Sequence, residues 1–399
     1  MSPAKSLIRN IHLYLGLVSG LVIVFVCLTG SILAFEKEIE QAWHPERYFV
    51  APSTTAALPL ARLVEAVGAY KPKAKISGVK VYADPTRTVE ISLAGGPEKG
   101  GKGKAGQEAG STGPAKGKGK GDGGGPRLYV NPYTAAVTGE MNPRDTFFHT
   151  IEQLHRGLVA GKVGKLVMGV SASIFLFILG TGLVLWWPAM RKAMSQRLQV
   201  KWGSSWKRLN HDFHIVLGFY ASLFLFVMAL TGVGMSFDWV GQGINQLTHS
   251  PLKRSEPPVS AAPGAGVAPF APDAVLALAR QQAPDAESYA LQLPKEPTGS
   301  IRVSMLRPGA LTENATDEVF LDQYSGQVIS GQTYAQRPVG QRIRGLFKPV
   351  HTGAIFGWPT KLLALTMGLL GATFPITGTI MWLNRLRKNR KKHARLQAV

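Results

Sequence analysis

One cysteine, Cys27, stands in 399 residues, and it lies inside an apolar run. A disulfide, a C-x-x-C redox pair and a thiolate zinc site are therefore excluded within one chain, and Cys27 reads as a small packing residue. Acidic residues are also scarce, 24 Asp and Glu against 45 Lys and Arg, for a net charge of +21. They are missing altogether from the segment before residue 11, from Arg191 to Arg208, and from Arg385 to the end. No G-x-x-x-x-G-K-[ST] phosphate loop, H-E-x-x-H pair, Ser-His-Asp arrangement or dinucleotide fingerprint occurs. Four runs, roughly 11–35, 166–187, 215–237 and 362–383, contain no Asp, Glu, Lys or Arg.

Each of those runs has the roughly 20 apolar residues that a membrane-spanning helix needs. Helix is also the open-chain structure that satisfies its own backbone in lipid. The expected fold class is an α-helical membrane protein with four spanning helices. The basic residues are grouped around the spans, which argues against nucleic acid as a partner. Lys5 and Arg9, then Arg191 to Arg208, then Arg385 to Arg395 fall on one side of a four-span chain. The positive-inside rule makes that side cytoplasmic and puts both chain ends there. The long blocks, about 36–154 and 238–350, then face the periplasm of a bacterium, and the chain sits in its inner membrane. Trp186, Trp187 and Trp382 mark the cytoplasmic interface. The first span is too long for a signal peptide and lacks a small-residue cleavage site, so it reads as an uncleaved anchor. The expected organisation is 1–37 for the first span and 38–150 for the first outer block, then 151–190 for the second span. A basic loop at 191–210, the third span at 211–238, the second block at 239–345, the fourth span at 346–385 and a basic tail at 386–399 complete it.

The two blocks resemble each other. The first contains a helical pattern at 57–70, strand-like alternation at 75–83 and 88–95, and RLYVNPYTAAVTGE at 127–140. The second contains a helical pattern at 271–284 with Asp273 near its start, strand-like segments at 288–294 and 300–306, and EVFLDQYSGQVISGQ at 318–332. Asn131, Tyr133 and Thr134 match Asp322, Tyr324 and Ser325. These are turn residues between hairpin strands, so each block is expected to be a small α+β module. The insertion at 95–125 is Gly- and Lys-rich, with no apolar residue larger than Ala. Such a composition predicts disorder.

The histidines at the ends of the spans carry the functional signal. His12 and His214 each have Gly four residues on (Gly16, Gly218) and Thr-Gly starting seventeen on (Thr29-Gly30, Thr231-Gly232). His155 and His351 each open H-x-G-x-x-x-G, with Lys at +10 (Lys165, Lys361), Thr-Gly at +26 (Thr181-Gly182, Thr377-Gly378) and Trp at +31 (Trp186, Trp382). The chain thus reads as a duplicated two-helix unit with its histidines in register. Topology puts His12 and His214 at cytoplasmic ends, and His155 and His351 at periplasmic ends, about 30 Å apart across the hydrocarbon. Two pairs follow, His12 with His214 and His155 with His351.

Paired neutral imidazoles in a membrane point to six-coordinate haem, suited to electron transfer. No C-x-x-C-H motif is present, so two non-covalent haems b are expected. Gly16 and Gly218 would clear a helix face for the porphyrin, and Gly157, Gly161, Gly353 and Gly357 would act similarly. Arg9 and Arg208 at one end, and Arg156 and Arg344 at the other, are candidate partners for propionates. His211 and His149 are alternates for His214 and His155. The Thr-Gly pairs read as helix-packing contacts.

The registered histidines, the LHRGL and VHTG segments, the Thr-Gly pairs and the paired Tyr-Thr and Tyr-Ser hairpins resemble the PepSY-associated transmembrane family, from Ile8 to Arg387. Within it the chain looks most like integral membrane ferrisiderophore reductases of the ferrioxamine type. That resemblance implies PepSY-like outer modules, haem b and an oxidoreductase that reduces a periplasmic ferric siderophore. The electron donor would be a cytoplasmic reductase or quinol. Two other readings belong beside it. One is an electron-transfer subunit for another periplasmic reductase or a quinone pool. The other is a non-redox PepSY-type binding or regulatory protein.

Overall fold

The computed structural model describes residues 2–95, 125–188, 194–252, 255–261 and 267–397. Residues 96–124 of the Gly/Lys-rich insertion lie outside them, and so does the disorder expected there. The chain divides into two compact units, one helical (1–38, 150–254 and 337–399) and one built on a sheet (39–149 and 255–336).

Four helices of the helical unit are long and apolar enough to cross a membrane: Pro3–Leu33, Gly161–Trp186, Trp206–Ser236 and Trp358–Gln397. The first starts well before its apolar run because Ser2 and Pro3 form an N-terminal signal. Ser2 Oγ accepts the Lys5 backbone N–H, and proline at the first helical position has no N–H to leave unpaired. The fourth continues through the basic tail to Gln397, since Lys and Arg are good helix formers. The helix thus runs from the expected fourth span into the basic tail without interruption. The first helix packs on the second and the fourth, and the third packs on the same two, which gives a closed four-helix arrangement. A Cβ at Gly371 on the fourth helix would lie 2.9 Å from the Cys27 sulfur, so Cys27 fills the space that this glycine leaves. Trp186 and Trp187 at the end of the second long helix differ in exposure. Trp186 is buried, stacks on Phe219 at 3.8 Å and donates to the Arg197 carbonyl, while Trp187 beside it is exposed.

In the other unit the strands are β1 (Ile76–Tyr82), β2 (Val89–Leu93), β3 (Arg127–Val130), β4 (Val137–Met141), β5 (Ser288–Gln292), β6 (Ile301–Leu306), β7 (Asp317–Leu321) and β8 (Val328–Gln332). They form one antiparallel sheet in the order β4-β3-β2-β1-β5-β6-β7-β8. Each block supplies the helix and strands its pattern predicts, and β1 pairs with β5 to join the blocks edge to edge. Alternate residues, such as Val89, Ile91 and Leu93, or Ile301, Val303 and Met305, turn into a core shared with helices Leu60–Tyr70 and Pro272–Gln282. Asp273 caps the helix of the other block: its carboxylate accepts the Leu60 and Ala61 N–H groups at 2.6 and 2.9 Å.

The two hairpin turns are built alike. Asn131 Oδ1 accepts from Tyr133 and Thr134, and Asp322 Oδ1 accepts from Tyr324 and Ser325. Tyr133 and Tyr324 donate their hydroxyls to the Pro85 and Pro297 carbonyls. Ala135 and Gly326 follow in the left-handed region, at φ 57° and 70°. These tyrosines hold turns.

Candidate functional site

The structure brings the four histidines of the repeat together in two pairs. His12 on the first long helix and His214 on the third have ring centres 6.5 Å apart, with planes crossed at 84°. His155, on the helix Phe147–Gly157, and His351, on the helix Val339–Thr352, have centres 6.0 Å apart with planes at 63°. The pairs lie at opposite ends of the bundle. His155 contacts Thr29, seventeen residues along the first helix from His12, and at 1.5 Å per residue that is about 25 Å.

Every one of these rings is seated on a Thr-Gly pair of a neighbouring helix. His12 Nδ1 lies 2.9 Å from Thr181 Oγ1, and His214 Nδ1 lies 2.9 Å from Thr377 Oγ1. His155 Nδ1 lies 3.1 Å from Thr29 Oγ1, and His351 Nδ1 lies 3.1 Å from Thr231 Oγ1. The glycine after each threonine makes room for the ring. A Cβ at Gly30, Gly182, Gly232 or Gly378 would stand 2.9 to 3.4 Å from the seated Cε1. The Thr-Gly pairs are therefore more than helix-packing contacts, because each packs an imidazole. Sequence reading missed this role: spacing along one chain does not say which neighbouring helix a threonine faces.

His214 also sits within a π-turn, Phe213–Leu217, while His12 lies in regular helix. Single π-turns inside helices recur at functional sites. Just before it, Asn210 and Asp212 are buried. Asn210 Nδ2 donates to the Thr377 carbonyl, and Asp212 accepts from Arg208 and from the Lys201 backbone. These two polar residues carried no repeat signal, since the first helix has Ile8 and Asn10 in the matching places.

His211 is exposed and its Nδ1 faces Asp212 at 3.3 Å, so it is not one of the paired rings. His149 begins the helix that carries His155, where its N–H donates to Thr146, and its ring is not one of the pair either. Gly16 and Gly218 lie on open helix faces: a Cβ at Gly16 would meet nothing within 4 Å, and one at Gly218 only the Phe374 ring, at 3.8 Å. Three of the four glycines of the two H-x-G-x-x-x-G motifs shape turns. Gly161, Gly353 and Gly357 have φ of 56°, 73° and 72°, and a Cβ at Gly353 would collide with the Thr360 carbonyl. Arg9 donates to Ser6 Oγ at 3.1 Å on its own helix. Arg156 pairs with Glu152 at 2.9 Å and Arg208 with Asp212 at 2.9 Å, so both bring their own acid. Arg344 lies against Gly241.

What these pairs can hold follows from donor number and spacing. Metal–imidazole bonds of about 2.0–2.1 Å, as for zinc, put two imidazoles on opposite sides of one metal with ring centres about 6.4 Å apart. The observed 6.5 and 6.0 Å suit that spacing. Among the described residues no group of three or more His, Cys, Asp or Glu is placed to hold a bare ion. A metal already held in the plane of a macrocycle needs only the two axial imidazoles offered here. The donor set therefore fits haem.

No curated protein matches the chain. The family model described as PepSY-associated TM region matches residues 9–385, nearly its whole length. The four long apolar helices make it a multi-pass membrane protein, and with that match the chain belongs to the PepSY-associated transmembrane family.

Proposed function

We propose that this protein is a di-haem b oxidoreductase of the bacterial inner membrane that delivers electrons to ferric siderophores in the periplasm. The observation that carries the proposal is the double imidazole pair, one at each end of a single bundle, at the spacing of axial ligands. Haem would supply one-electron iron chemistry when bound, and each imidazole pair would supply its two protein ligands. That suits electron transfer better than oxygen activation. His12 and His214 hold one group and His155 and His351 the other, while the long helices between them keep the sites apart in the bilayer.

Orientation rests on charge. The basic residues from Arg191 to Arg208 and from Arg385 to Arg395 support a cytoplasmic position for the His12 and His214 end. Electrons enter there from a quinol or a cytoplasmic reductase. The long blocks at 36–154 and 238–350 then belong to the periplasm, as two PepSY-like modules of a duplicated chain. A ferric siderophore is too large and polar to enter lipid, so reduction takes place at that surface, and weaker binding of ferrous iron releases the metal.

The test is spectroscopic. Purified protein is expected to show a low-spin haem b spectrum, and haem should pass into acidified organic solvent. Stopped-flow mixing of reduced protein, free of excess reductant, with ferric siderophores should reoxidise it faster than dissolved oxygen does. A colourless protein from haem-replete cells would overturn the haem assignment and leave a non-redox PepSY-type role. Indifference to every ferric chelate would replace the reductase with an electron-transfer subunit.

A further inference from the structure

We infer that Thr29, Thr181, Thr231 and Thr377 are positioning residues that fix which nitrogen of each imidazole carries the proton, and thereby which nitrogen binds the metal. This rests on the haem reading above and adds residues to it.

The argument is a count of hydrogens. A threonine hydroxyl has one hydrogen to give. Each of these hydroxyls faces main-chain carbonyls of its own helix. Thr29 faces Phe25 and Val26 at 2.8 and 3.1 Å, and Thr181 faces Phe177 and Ile178 at 3.1 and 2.9 Å. Thr231 faces Val227 and Met228 at 2.8 and 2.9 Å, and Thr377 faces Thr373 and Phe374 at 3.0 and 3.1 Å. A carbonyl accepts only, so the hydroxyl hydrogen is committed to the helix. The remaining lone pairs of Oγ1 then accept from histidine Nδ1, and Nδ1 must carry the proton.

For His155 and His351 a second set of contacts reaches the same answer independently. His155 Nδ1 is 3.1 Å from the Val26 carbonyl, and His351 Nδ1 is 2.7 Å from the Met228 carbonyl. Neither contact is a hydrogen bond unless Nδ1 is the donor. In all four seats the neutral ring is therefore the Nδ1–H tautomer, with the lone pair on Nε2. The threonine also sets the rotation of the ring, so the crossed planes of each pair follow from where the four hydroxyls stand. An acceptor behind the ring makes the imidazole more basic and favours the ferric state.

The alternative is that the threonines only fill space, and valine, which has nearly the same shape, separates the two. In Thr29→Val and Thr231→Val, haem is expected to stay bound while the midpoint potential of the His155/His351 haem rises and the other stays unchanged. Thr181→Val and Thr377→Val should do the reverse. The Val26 and Met228 carbonyls remain behind His155 and His351, so at that haem the ferric preference should weaken by about tenfold, the low end for loss of a ligand's hydrogen-bond partner. Tenfold is 59 mV for a one-electron couple. Thr→Ser variants keep the hydroxyl and should keep the wild-type potentials; where a valine variant does not fold, Thr→Ala is compared with Thr→Ser in its place. The wild-type spectrum is read first. A colourless wild type overturns the haem reading and this inference with it. A haem-loaded wild type whose valine variants shift neither potential, or whose serine variants shift as much as valine, overturns this inference alone.

Discussion

Removing one histidine should empty or convert one site and leave the other intact. The reason is distance. His12 and the seat of His155 lie on one helix, seventeen residues apart, or about 25 Å at helical rise. Effects of substitutions more than about 7–10 Å apart, with no shared partner, usually add. His12→Ala and His351→Ala share neither a ring partner nor a threonine, since His12 meets His214 and Thr181 while His351 meets His155 and Thr231. Each single variant should therefore lose about half of the low-spin haem absorbance per polypeptide, and the double variant nearly all of it. Where a five-coordinate haem remains on the partner histidine, the lost half reappears as high-spin signal. The assay is a pyridine haemochrome count against protein, with the visible spectrum of the same sample. A single variant that abolished both haems in a folded bundle would refute two independent sites, and one that changed neither would remove that residue from the ligand set.

Three further outcomes follow. The crossed ring planes, at 84° and 63°, should give strongly anisotropic low-spin ferric EPR signals, and a purely rhombic spectrum of the near-parallel type would contradict the seating of the rings. Replacing residues 96–124 by a short Gly-Ser turn should leave the haem spectrum and the melting temperature unchanged, because β2 and β3 are paired and their flanks, Gly95 and Gly125, already lie side by side; loss of haem on that replacement would show that the segment is structural. Asp322→Ala should destabilise the sheet unit by about 1–3 kcal/mol through lost hydrogen bonds to buried groups. Backbone N–H groups of Ser325, Tyr324 and Ala261 hold the Asp322 carboxyl down at about 2. Its contribution is therefore full above the ordinary Asp range and fades as pH falls through about 2, and urea titrations across that window should show wild type and variant converging only in strong acid.

The histidine pairs were legible because the chain repeats them at fixed offsets from glycine, Thr-Gly and tryptophan, and because charge-free runs of spanning length dictate which ends can meet. What those histidines rest on was not legible. Helical periodicity gives the face of a residue on its own helix but not the neighbour it meets, so Thr29 and Thr181 read as small packing residues until the first two helices are seen side by side. The glycines after His155 and His351 were ambiguous for a related reason. Clearance for a flat ligand and a tight turn both call for glycine, and only positive φ at Gly161, Gly353 and Gly357 tells them apart. In the sheet unit the alternation in each block predicts its strands correctly, yet nothing local to β1 or β5 announces that they pair, because two edge strands look alike before they meet. The π-turn at His214 is invisible for a simpler reason: one additional residue in a turn leaves an apolar run apolar.

The seats also divide the bundle into two halves. His12 rests on Thr181 and His155 on Thr29, so the first long helix is tied to the second at one end and to the helix Phe147–Gly157 that precedes the second at the other. His214 rests on Thr377 and His351 on Thr231, which ties the third long helix to the fourth and to the helix Val339–Thr352 in the same way. Contacts between imidazoles, by contrast, run only across the two hairpins thus formed. Each hairpin thus carries both of its own ring-to-threonine contacts, and a ligand held by either imidazole pair would join one hairpin to the other.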